Sequence, residues 1–519
     1  MKKNQLFVIV FITLYVWKVT DTQAQPFNNN LAMMLQDTLQ TYFTAINNIK
    51  GMTASVYLPG QGMWQGKAGV SFTGQPITQD MSFGVASNTK LFVATMMLKL
   101  AEDNIISLND SLHKWLPNYT NVDPDITIRQ LLSHRSGISD PIFVSPWMDT
   151  IIANPSRVFA PVEVIGWLGP RLFPKGASWG YSNVNYILAA MVAKSATGYP
   201  ISKLIRDSIL TPLSLDSTFY DYEEPVVGTL AHRWWNGGSG IVVYDYHNVS
   251  RVGLNSAGGA AGALFSNSSE MAQWYHALFS GQLLNATSMT ELMNFGPTMS
   301  PVQQYSLGLA RETTQGLTYW GHGGDTWGYK SKMIYDTCMG AVICGMSNSF
   351  PDGMTSIPFL IYRAIKNHVP GCPGAISGLT SVVQGQNNVT YTTAPIANVN
   401  TYVWTLPNGA TGTSNTSSIT INYENSALSG NITVRGDNDY GVGNASSLAI
   451  TVTPFIPNTT LGNVGINVET PLRNLHIKDV MRLEPRNQPP DNPSEGDIYY
   501  DSILKKLRVF DGSLWQNCW

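Results

Sequence analysis

Strand-like segments lie at both ends of the region before residue 369, and segments with helical spacing lie between them until about Phe279. Alternating residues predict two strands near the start and three near the end, at 53–58, 63–70, 317–320, 328–336 and 341–346. Amphipathic segments precede the first pair and follow the last strand. Because strands need partners, the two ends must meet in one antiparallel sheet. Residues 25–368 are therefore predicted to form an α/β (α+β) domain with an antiparallel sheet and an all-helical subdomain.

The composition changes at about Val369 to Gly374, where the chain becomes rich in Thr, Ser, Asn and Gly. Five short alternating runs follow, at 389–392, 402–406, 418–422, 431–435 and 448–452. Regular spacing with turn signals between the runs predicts an all-β sandwich over 369–455. Trp404 stands where such a sandwich commonly buries an aromatic residue.

A third, small β-rich unit is predicted over 456–519. It contains the segment from Gly462 to Ile466, and it ends in an apparent hairpin from Lys506 to Trp515 that turns at Asp511-Gly512. A core of this size is marginal alone, so packing against a partner chain is expected.

Residues 1–24 have the features of a secretory signal peptide. Two lysines after Met1 precede an apolar stretch from Leu6 to Trp17, and Thr22-Gln23-Ala24 is a suitable cleavage site. The protein is therefore expected to be exported to the periplasm, the cell surface or the medium. A formal net charge of -3 and the lack of a basic stripe argue against nucleic acid as a partner.

Four cysteines are too few for a disulfide scaffold. Cys338 and Cys344 flank a predicted hairpin turn, and we interpret both as small core or turn residues rather than a metal site. The eight histidines show no metal-ligand spacing, so metal-dependent hydrolysis is disfavoured and no cofactor is expected.

Ser87 and Lys90 form a Ser-x-x-Lys pattern before a segment, Leu91 to Glu102, that is predicted to be an amphipathic helix. Residues three apart share a helical face, so both side chains are expected in one cleft. A serine hydroxyl is a weak nucleophile near neutral pH, but a desolvated lysine can take its proton. The pattern is frequent by chance, and two further motifs make it informative.

Tyr181-Ser182-Asn183 stands at the start of a predicted helix that Gly198 ends. In a purely structural interpretation, Asn183 caps this helix and Tyr181 is a packed aromatic residue. In the chemical interpretation, Lys90 lowers the pKa of Tyr181, which relays protons as general base and acid. Asn183 then hydrogen-bonds to the substrate and to the lysine.

His322-Gly323-Gly324 comes immediately before Asp325 and a strand-like run. Glycines here allow a strand edge to approach a bound substrate closely. The backbone N–H after Gly324 and that of Ser87 are predicted to form an oxyanion hole. The alternative is that the histidine is only a turn residue.

In this order and context the three motifs resemble those of the serine β-lactamase-related family. The pattern is most similar to the class C β-lactamase, D-aminopeptidase and carboxylesterase branch, over Gln25 to His368. Segments 128–137, 173–176 and 256–259 are also similar to that branch. The chain has no Gly-x-Ser-x-Gly elbow, which argues against an α/β-hydrolase.

The resemblance implies roles for individual residues. Ser87 is the acylated nucleophile, and Lys90 and Tyr181 share the general-base role. The residues implied in substrate binding are Asn183, His322, Gly324 and Asp325. His134 is expected to be structural, and Trp234, Trp235 and Tyr246 are candidates either for the cleft wall or for the core.

His322 departs from the family pattern, because efficient β-lactamases and many DD-peptidases have lysine there. A histidine is largely neutral at pH 7 and holds a substrate carboxylate less firmly. We therefore expect an exported serine hydrolase that forms an acyl-enzyme on an amide or ester, with a small-molecule or peptide substrate. The alternatives are a cell-wall DD-peptidase or β-lactamase, and a turnover-deficient penicillin-recognition or adhesion protein.

Two weaker resemblances concern the C-terminal third. The module over 369–455 resembles PKD-like or immunoglobulin-like domains of secreted bacterial enzymes. The last unit resembles repeats of tail-fibre-like proteins, which implies a homotrimer formed through this unit.

Overall fold

The computed structural model describes residues 27–455, 483 and 485–518, with gaps at 47–48, 142–145, 237–243 and 352. The predicted signal peptide and the segment from Gly462 to Ile466 lie outside the described residues. The described chain forms three successive modules.

The main sheet of the first module is built from strands at both ends of its sequence, and short strands that belong to smaller sheets lie between them. They are β1 Gly51–Leu58, β2 Gly62–Phe72, β3 Gln75–Pro76, β4 Phe83–Gly84, β5 Phe219–Tyr220, β6 Trp234–Trp235, β7 Tyr244–Asp245, β8 Leu264–Ser266, β9 Gly296–Pro297, β10 Gln303–Tyr305, β11 Ala310–Thr314, β12 Leu317–Thr326, β13 Tyr329–Tyr335, β14 Val342–Ser347 and β15 Ser349–Phe350. One nine-stranded sheet has the order β3-β2-β1-β14-β13-β12-β11-β10-β9. β1 pairs antiparallel with β14, with Met52 opposite Ser347. The predicted antiparallel sheet is confirmed.

The helices of this module include some that cover the two faces of the sheet and others that pack on one another. They are α1 Asn29–Ala45, α2 Thr89–Glu102, α3 Ile128–Leu132, α4 Trp147–Ala153, α5 Pro161–Ile165, α6 Val184–Thr197, α7 Ile201–Ile205, α8 Val252–Gly258, α9 Ser268–Phe279, α10 Ala286–Leu292 and α11 Ser356–His368. On one face, Leu35 of α1 and Ile361 of α11 share a core with Ile343. On the other, Met271 of α9 shares a core with Cys344. Adjacent residues of β14 thus point to opposite faces, as a strand requires.

Helix α2 lies in the middle of the second core rather than at a surface. Its residues from Thr89 to Leu98 are all buried, and Phe92 stacks on Trp274 with ring centroids 4.1 Å apart. The prediction of an amphipathic helix is therefore wrong for this segment. A helix that is apolar all round belongs in the interior, and the predicted nucleophile Ser87 lies just before the first residue of this one.

The second module is a β-sandwich. Its strands are β16 Ser381–Val383, β17 Val389–Thr392, β18 Thr401–Thr405, β19 Ala410–Thr411, β20 Ser418–Tyr423, β21 Gly430–Asn438 and β22 Gly441–Thr453. They form one sheet of order β16-β22-β21-β18 and one of order β17-β20-β19. Trp404 is only half-buried, whereas Tyr391 and Tyr423 fill the core with their hydroxyls 2.8 Å apart. The all-β prediction is confirmed, but Trp404 is not its central aromatic residue.

A disulfide joins the first two modules. Cys338, in the turn between β13 and β14, bonds to Cys372, just after α11. Cys338 is a turn residue, as we interpreted it, but its disulfide was not predicted, because its partner lies 34 residues away and no local pattern indicates the pair. Cys344 is buried in β14, as expected. Hydrogen bonds from Asn438 to the His368 carbonyl and from Asn444 to the Cys338 carbonyl also cross the junction.

The third module contains β23 Ile498–Asp501, β24 Lys506–Phe510 and β25 Trp515–Asn517 in one small sheet. β24 pairs antiparallel with β25 across the predicted hairpin turn. The homotrimer stays a prediction for this single chain. Among the described residues, no helix combines the length and apolar character needed to cross a membrane.

Candidate active site

Ser87 lies in a short 3-10 turn, Ala86–Asn88, that leads directly into α2 and is called the nucleophile turn below. Ala86 has a φ of 49°, an uncommon value for a residue with a side chain. The side-chain amide of Asn88 donates a hydrogen bond to Ser331 Oγ at 2.7 Å. The Ser331 hydroxyl in turn donates to the carbonyl oxygen of Val85, also at 2.7 Å. These bonds tie the nucleophile turn to β13 and fix the direction of the serine side chain.

Lys90 lies one helical turn later, with its Nζ 3.0 Å from Ser87 Oγ. The same nitrogen is 2.8 Å from Asn183 Oδ1 and 2.8 Å from the carbonyl oxygen of Ala261. Burial lowers the pKa of Lys90 to about 7, although the charge of Asp140 opposes the shift. A neutral amine has two hydrogens for the two carbonyl oxygens, and its lone pair is then left for the serine hydroxyl.

Asn183 is held in turn by Asp140. The backbone N–H and the side-chain amide of Asn183 both donate to Asp140 Oδ2, at 3.1 and 2.7 Å. Asn183 stands at the N-terminus of α6, but its side chain makes no capping hydrogen bond. The contact with Lys90 that we predicted for Asn183 is present, and the capping role is not.

Tyr181 donates from its hydroxyl to Ser87 Oγ at 2.9 Å. Burial, assisted by the charges of Asp140 and Asp325, raises the pKa of Tyr181 well above its ordinary value. Our expectation that Lys90 lowers the pKa of Tyr181 is therefore wrong, because desolvation dominates in this position. The phenol remains protonated at neutral pH and acts as a hydrogen-bond donor.

His134 supports this arrangement from behind. It is fully buried, and its ring centroid lies 4.3 Å from that of Tyr181. Its Nδ1 accepts from the backbone N–H of Ser182 and lies 3.0 Å from the side-chain nitrogen of Asn185. Burial lowers the pKa of His134, so that its ring is neutral. These contacts agree with the structural role that we expected.

The three glycines of β12 differ in the space around their Cα atoms. A Cβ on Gly321 would lie 1.9 Å from the Met333 carbonyl oxygen, and one on Gly324 would lie 2.2 Å from that of Val85. A Cβ on Gly323 would have no neighbour closer than 3.9 Å. Gly324 therefore allows the strand to pack against the nucleophile turn, while Gly323 leaves open space beside it.

His322 is buried inside β12 rather than placed in a turn. Its Nε2 lies 3.0 Å from the hydroxyl of Tyr305, and its Nδ1 lies beside the carbonyl oxygen of Gly323. Burial, with a smaller effect of the Lys90 charge, lowers the pKa of His322 to about 4. The ring is therefore neutral at pH 7, and both of its nitrogens have partners within the protein.

A cavity of about 340 Å³ opens onto these groups. Its polar wall contains Ser87, Tyr181, Asn183, His322 and Asp325, so the structure brings these predicted residues together. The predicted oxyanion hole uses backbone groups of Ser87 and Asp325, which line the same cavity. Gly324 contributes by packing behind the wall. Among the described residues, no cluster of histidine, cysteine or carboxylate side chains is arranged to hold a metal ion.

The cavity also has apolar lining residues. They are Trp147, Met148, Leu254 and Trp327. Trp327 stacks on Trp235, with ring centroids 4.5 Å apart, so Trp235 lies behind Trp327 rather than in the lining. Tyr246 packs on Trp235, and the indole of Trp234 donates to the Ser71 carbonyl. The candidates Trp234, Trp235 and Tyr246 therefore do not line the cavity.

Sequence reasoning missed several residues of the site. Asp140 had no recognisable motif around it, although a carboxylate close after a predicted helix is a weak signal. The carbonyl of Ala261 belongs to a 3-10 turn, Gly259–Ala261, just beyond the Ser256–Gly259 segment that carried part of the resemblance. The Ser256–Gly259 segment thus pointed to this part of the chain, but the residue type does not show which backbone carbonyl accepts a hydrogen bond.

The beta-lactamase family model matches residues 39–361, which is more than half of the chain. The chain belongs to the beta-lactamase family. A PKD-like domain model matches residues 369–450. The expected resemblances of the first and second modules are confirmed, and that of the last unit to tail-fibre-like repeats stays a prediction.

Curated relatives match a limited part of the chain. Protein flp of Staphylococcus aureus is 34% identical over 143 residues, which are 27% of this chain and 28% of that protein. Penicillin-binding protein 4* of Bacillus subtilis is 30% identical over 146 residues, 28% of this chain and 32% of that protein. The matched part of the chain thus spans about a third or less of the length of these relatives.

Solved structures are similar over the whole first module. A D-stereospecific amidohydrolase from Streptomyces sp. has 28% identity and a TM-score of 0.57, covering 63% of this chain and 97% of that one. A D-amino acid amidase from Ochrobactrum anthropi SV3, complexed with L-phenylalanine amide, has 25% identity and a TM-score of 0.58, covering 65% and 99%. A penicillin-binding protein homologue from Pyrococcus abyssi, at 16% identity and a TM-score of 0.53, shares the fold and covers 80% and 97%.

Proposed function

We propose that this protein is a serine hydrolase that cleaves amides or esters through an acyl-enzyme on Ser87. One observation carries the proposal: the buried Nζ of Lys90 lies 3.0 Å from Ser87 Oγ. Because burial lowers the pKa of Lys90 to about 7, about half of these amines are neutral at that pH. A neutral amine in this position can act as the general base that a serine nucleophile requires.

The proton steps follow from the hydrogen bonds. As Ser87 Oγ bonds to the substrate carbonyl carbon, the serine proton moves to Lys90, and backbone N–H groups of Ser87 and Asp325 stabilise the oxyanion. As the bond to the leaving group breaks, Tyr181 gives its proton to the departing nitrogen or oxygen. The ammonium of Lys90, which like the Tyr181 hydroxyl lies within hydrogen-bond distance of Ser87 Oγ, then returns a proton to the Tyr181 phenolate. Water releases the acyl group by the reverse sequence.

An uncharged residue at position 322 favours amides and esters that lack a carboxylate over β-lactams and peptides with a C-terminal carboxylate. A pKa of about 4 leaves His322 without positive charge at neutral pH. The similar Streptomyces and Ochrobactrum structures are of amidohydrolases, which supports amides as substrates. A cell-wall DD-peptidase and a turnover-deficient penicillin-recognition protein are alternatives that the experiment below separates.

We also propose that the protein is exported. The sequence before residue 25 supports this, and so does the Cys338–Cys372 disulfide, because disulfides persist mainly in oxidising compartments. Immunodetection in culture medium, periplasm and cytoplasm would test it, and protein confined to the cytoplasm would contradict it.

The central test is active-site labelling with a fluorophosphonate probe. We expect the wild type and Ser356→Ala, which changes an exposed serine outside the cavity, to be labelled equally. Ser87→Ala should not be labelled, and persistent labelling of that variant would remove Ser87 from the mechanism.

Turnover is measured with a panel of p-nitrophenyl esters, amino acid amides, D-Ala-D-Ala peptides and a chromogenic cephalosporin. Amides or esters should be hydrolysed fastest. Preferential hydrolysis of D-Ala-D-Ala peptides would favour the DD-peptidase. A single burst of product without turnover on every substrate would favour the turnover-deficient protein.

A further inference from the structure

The side-chain amide of Asn255 is held in one orientation at the active-site cavity. Asn255 belongs to α8, lines the cavity and is only 5% exposed. Its Nδ2 donates a hydrogen bond to Asp221 Oδ2. The Asp221 carboxylate also accepts from Nε and Nη2 of Arg251, at 3.1 and 3.2 Å. A carboxylate paired with a guanidinium accepts hydrogen bonds and donates none, so the nitrogen of the Asn255 amide faces Asp221 and its oxygen points away.

The oxygen of this amide is an acceptor without a partner, because no hydrogen bond among the described residues engages Asn255 Oδ1. The other asparagine of the cavity, Asn183, differs in this respect, since its Oδ1 binds Lys90 and its Nδ2 binds Asp140. Buried polar atoms in folded proteins are nearly always hydrogen-bonded. An open acceptor in the lining of a reactive cavity is therefore suited to bind a hydrogen-bond donor of a ligand.

Asn255 belongs to a different part of the cavity lining from Tyr181, which supplies the leaving-group proton in the proposed function. Helix α8 contacts α4, and the two helices contribute the apolar lining residues Trp147, Met148 and Leu254. The rings that contact Tyr181 are those of His134, Trp179, Tyr305 and His322, and none of these belongs to α4 or α8. The leaving group departs beside Tyr181, so the part of the lining formed by α4 and α8 is left for the acyl group.

We propose that Asn255 is a specificity-determining residue, whose Oδ1 accepts a hydrogen bond from an uncharged N–H or O–H group on the acyl part of the substrate. This inference rests on the proposed function and defines its substrate class. The preferred acyl group combines an apolar body, which packs on Trp147 and Leu254, with a neutral donor that reaches Asn255. An acyl group without a donor leaves the buried acceptor unpaired and reacts more slowly.

The test uses p-nitrophenyl esters of phenylacetic acids that carry a hydroxyl, amino or methyl group at the meta or para position of the ring. The substituents are similar in size, and an aniline amino group is uncharged at neutral pH, so the esters differ mainly in their ability to donate a hydrogen bond. At the better ring position, the wild type should show a kcat/KM at least about tenfold higher for a donor ester than for the methyl ester. Comparing the hydroxyl and amino esters shows which donor is preferred.

Asn255→Leu keeps the approximate size of the side chain and removes the acceptor. In this variant the ratio of kcat/KM between donor and methyl esters should fall by about tenfold. Because the ratio compares two substrates on one preparation, it does not depend on the fraction of enzyme that is folded. Asn255→Ala is a second variant with the same expected loss. Its matched control is Asn118→Ala, which truncates an exposed asparagine outside the cavity and should keep the wild-type ratio.

The inference is overturned if the wild type hydrolyses the methyl esters as fast as the donor esters at both ring positions, or if both variants of Asn255 keep the wild-type ratio. Hydrolysis of p-nitrophenyl acetate, whose acyl group has no donor, separates this inference from the proposed function. If the wild type hydrolyses this ester through Ser87 but shows no donor preference, only the inference about Asn255 fails. If it neither hydrolyses the ester nor reacts with fluorophosphonate, the proposed function fails.

Discussion

The acylation rate of Ser87 should depend on pH through Lys90. The amine must be neutral to accept the serine proton, and burial lowers its pKa from an ordinary value of 10.5 to about 7. At pH 7 a lysine with the ordinary value would be neutral in only about one molecule in three thousand. Burial therefore raises the reactive fraction about a thousandfold. Below pH 7, the rate should fall about tenfold for each pH unit.

Asp140→Asn tests the cause of this pKa. The charge of Asp140 raises the pKa of Lys90 and so opposes the effect of burial. Without that charge the pKa should fall further, and the acid limb of the profile should move to lower pH. Asparagine can still accept a hydrogen bond from Asn183, so the lysine keeps its position.

The measurement is the pre-steady-state acylation rate with p-nitrophenyl acetate from about pH 5 to pH 9. Asp80→Asn, with the same loss of charge at an exposed site, should keep the wild-type profile. A midpoint near the ordinary lysine value would refute the reasoning about burial. An acid limb that moves to higher pH in Asp140→Asn would refute the reasoning about its charge.

Three further changes test the rest of the site and the module junction. Gly324→Ala should destabilise the protein by about 1–3 kcal/mol through overpacking and abolish serine labelling, whereas Gly323→Ala should fold normally; equal thermal stability of the two would contradict the packing described for β12. Tyr181→Phe should slow turnover by about two to four orders of magnitude in steady-state assays, and unchanged turnover would exclude its hydroxyl from proton transfer. Replacing Cys338 and Cys372 together with serine should lower the free energy of unfolding in urea by about 3–4 kcal/mol with kcat unchanged, and an unaltered unfolding midpoint would argue against the cross-link.

Much of the fold and part of the site could be predicted from the spacing of residues along the sequence. Ser87 and Lys90 meet because residues three apart on a helix share a face, and this rule needs no tertiary information. The antiparallel sheet was predictable because strand-like runs at both ends of the region had no other way to find partners. The five alternating runs of the second module each correspond to a strand of the sandwich.

Contacts between distant segments were not predictable in the same way. Asp140 reaches Asn183 across 43 residues, and Cys338 reaches Cys372 across 34. Neither pair has a local pattern, because the fold alone brings the two segments together. The sequence also did not reveal how deeply α2 is buried. We therefore predicted an exposed face for this helix, whereas its residues from Thr89 to Leu98 are all buried.

The error about Tyr181 shows how burial divides the chemistry between two residues. Desolvation disfavours the charged form of every group, so it lowers the pKa of a base and raises that of an acid. In the same buried site, Lys90 becomes more readily neutral and Tyr181 becomes harder to ionise. Our prediction applied desolvation to Lys90 but not to Tyr181, for which it counted only the attraction to the lysine. Because desolvation is the largest influence on both pKa values, the resting site near pH 7 holds a lysine that is neutral in about half of the molecules and can then accept the serine proton. It also holds a neutral phenol that can supply a proton to the leaving group.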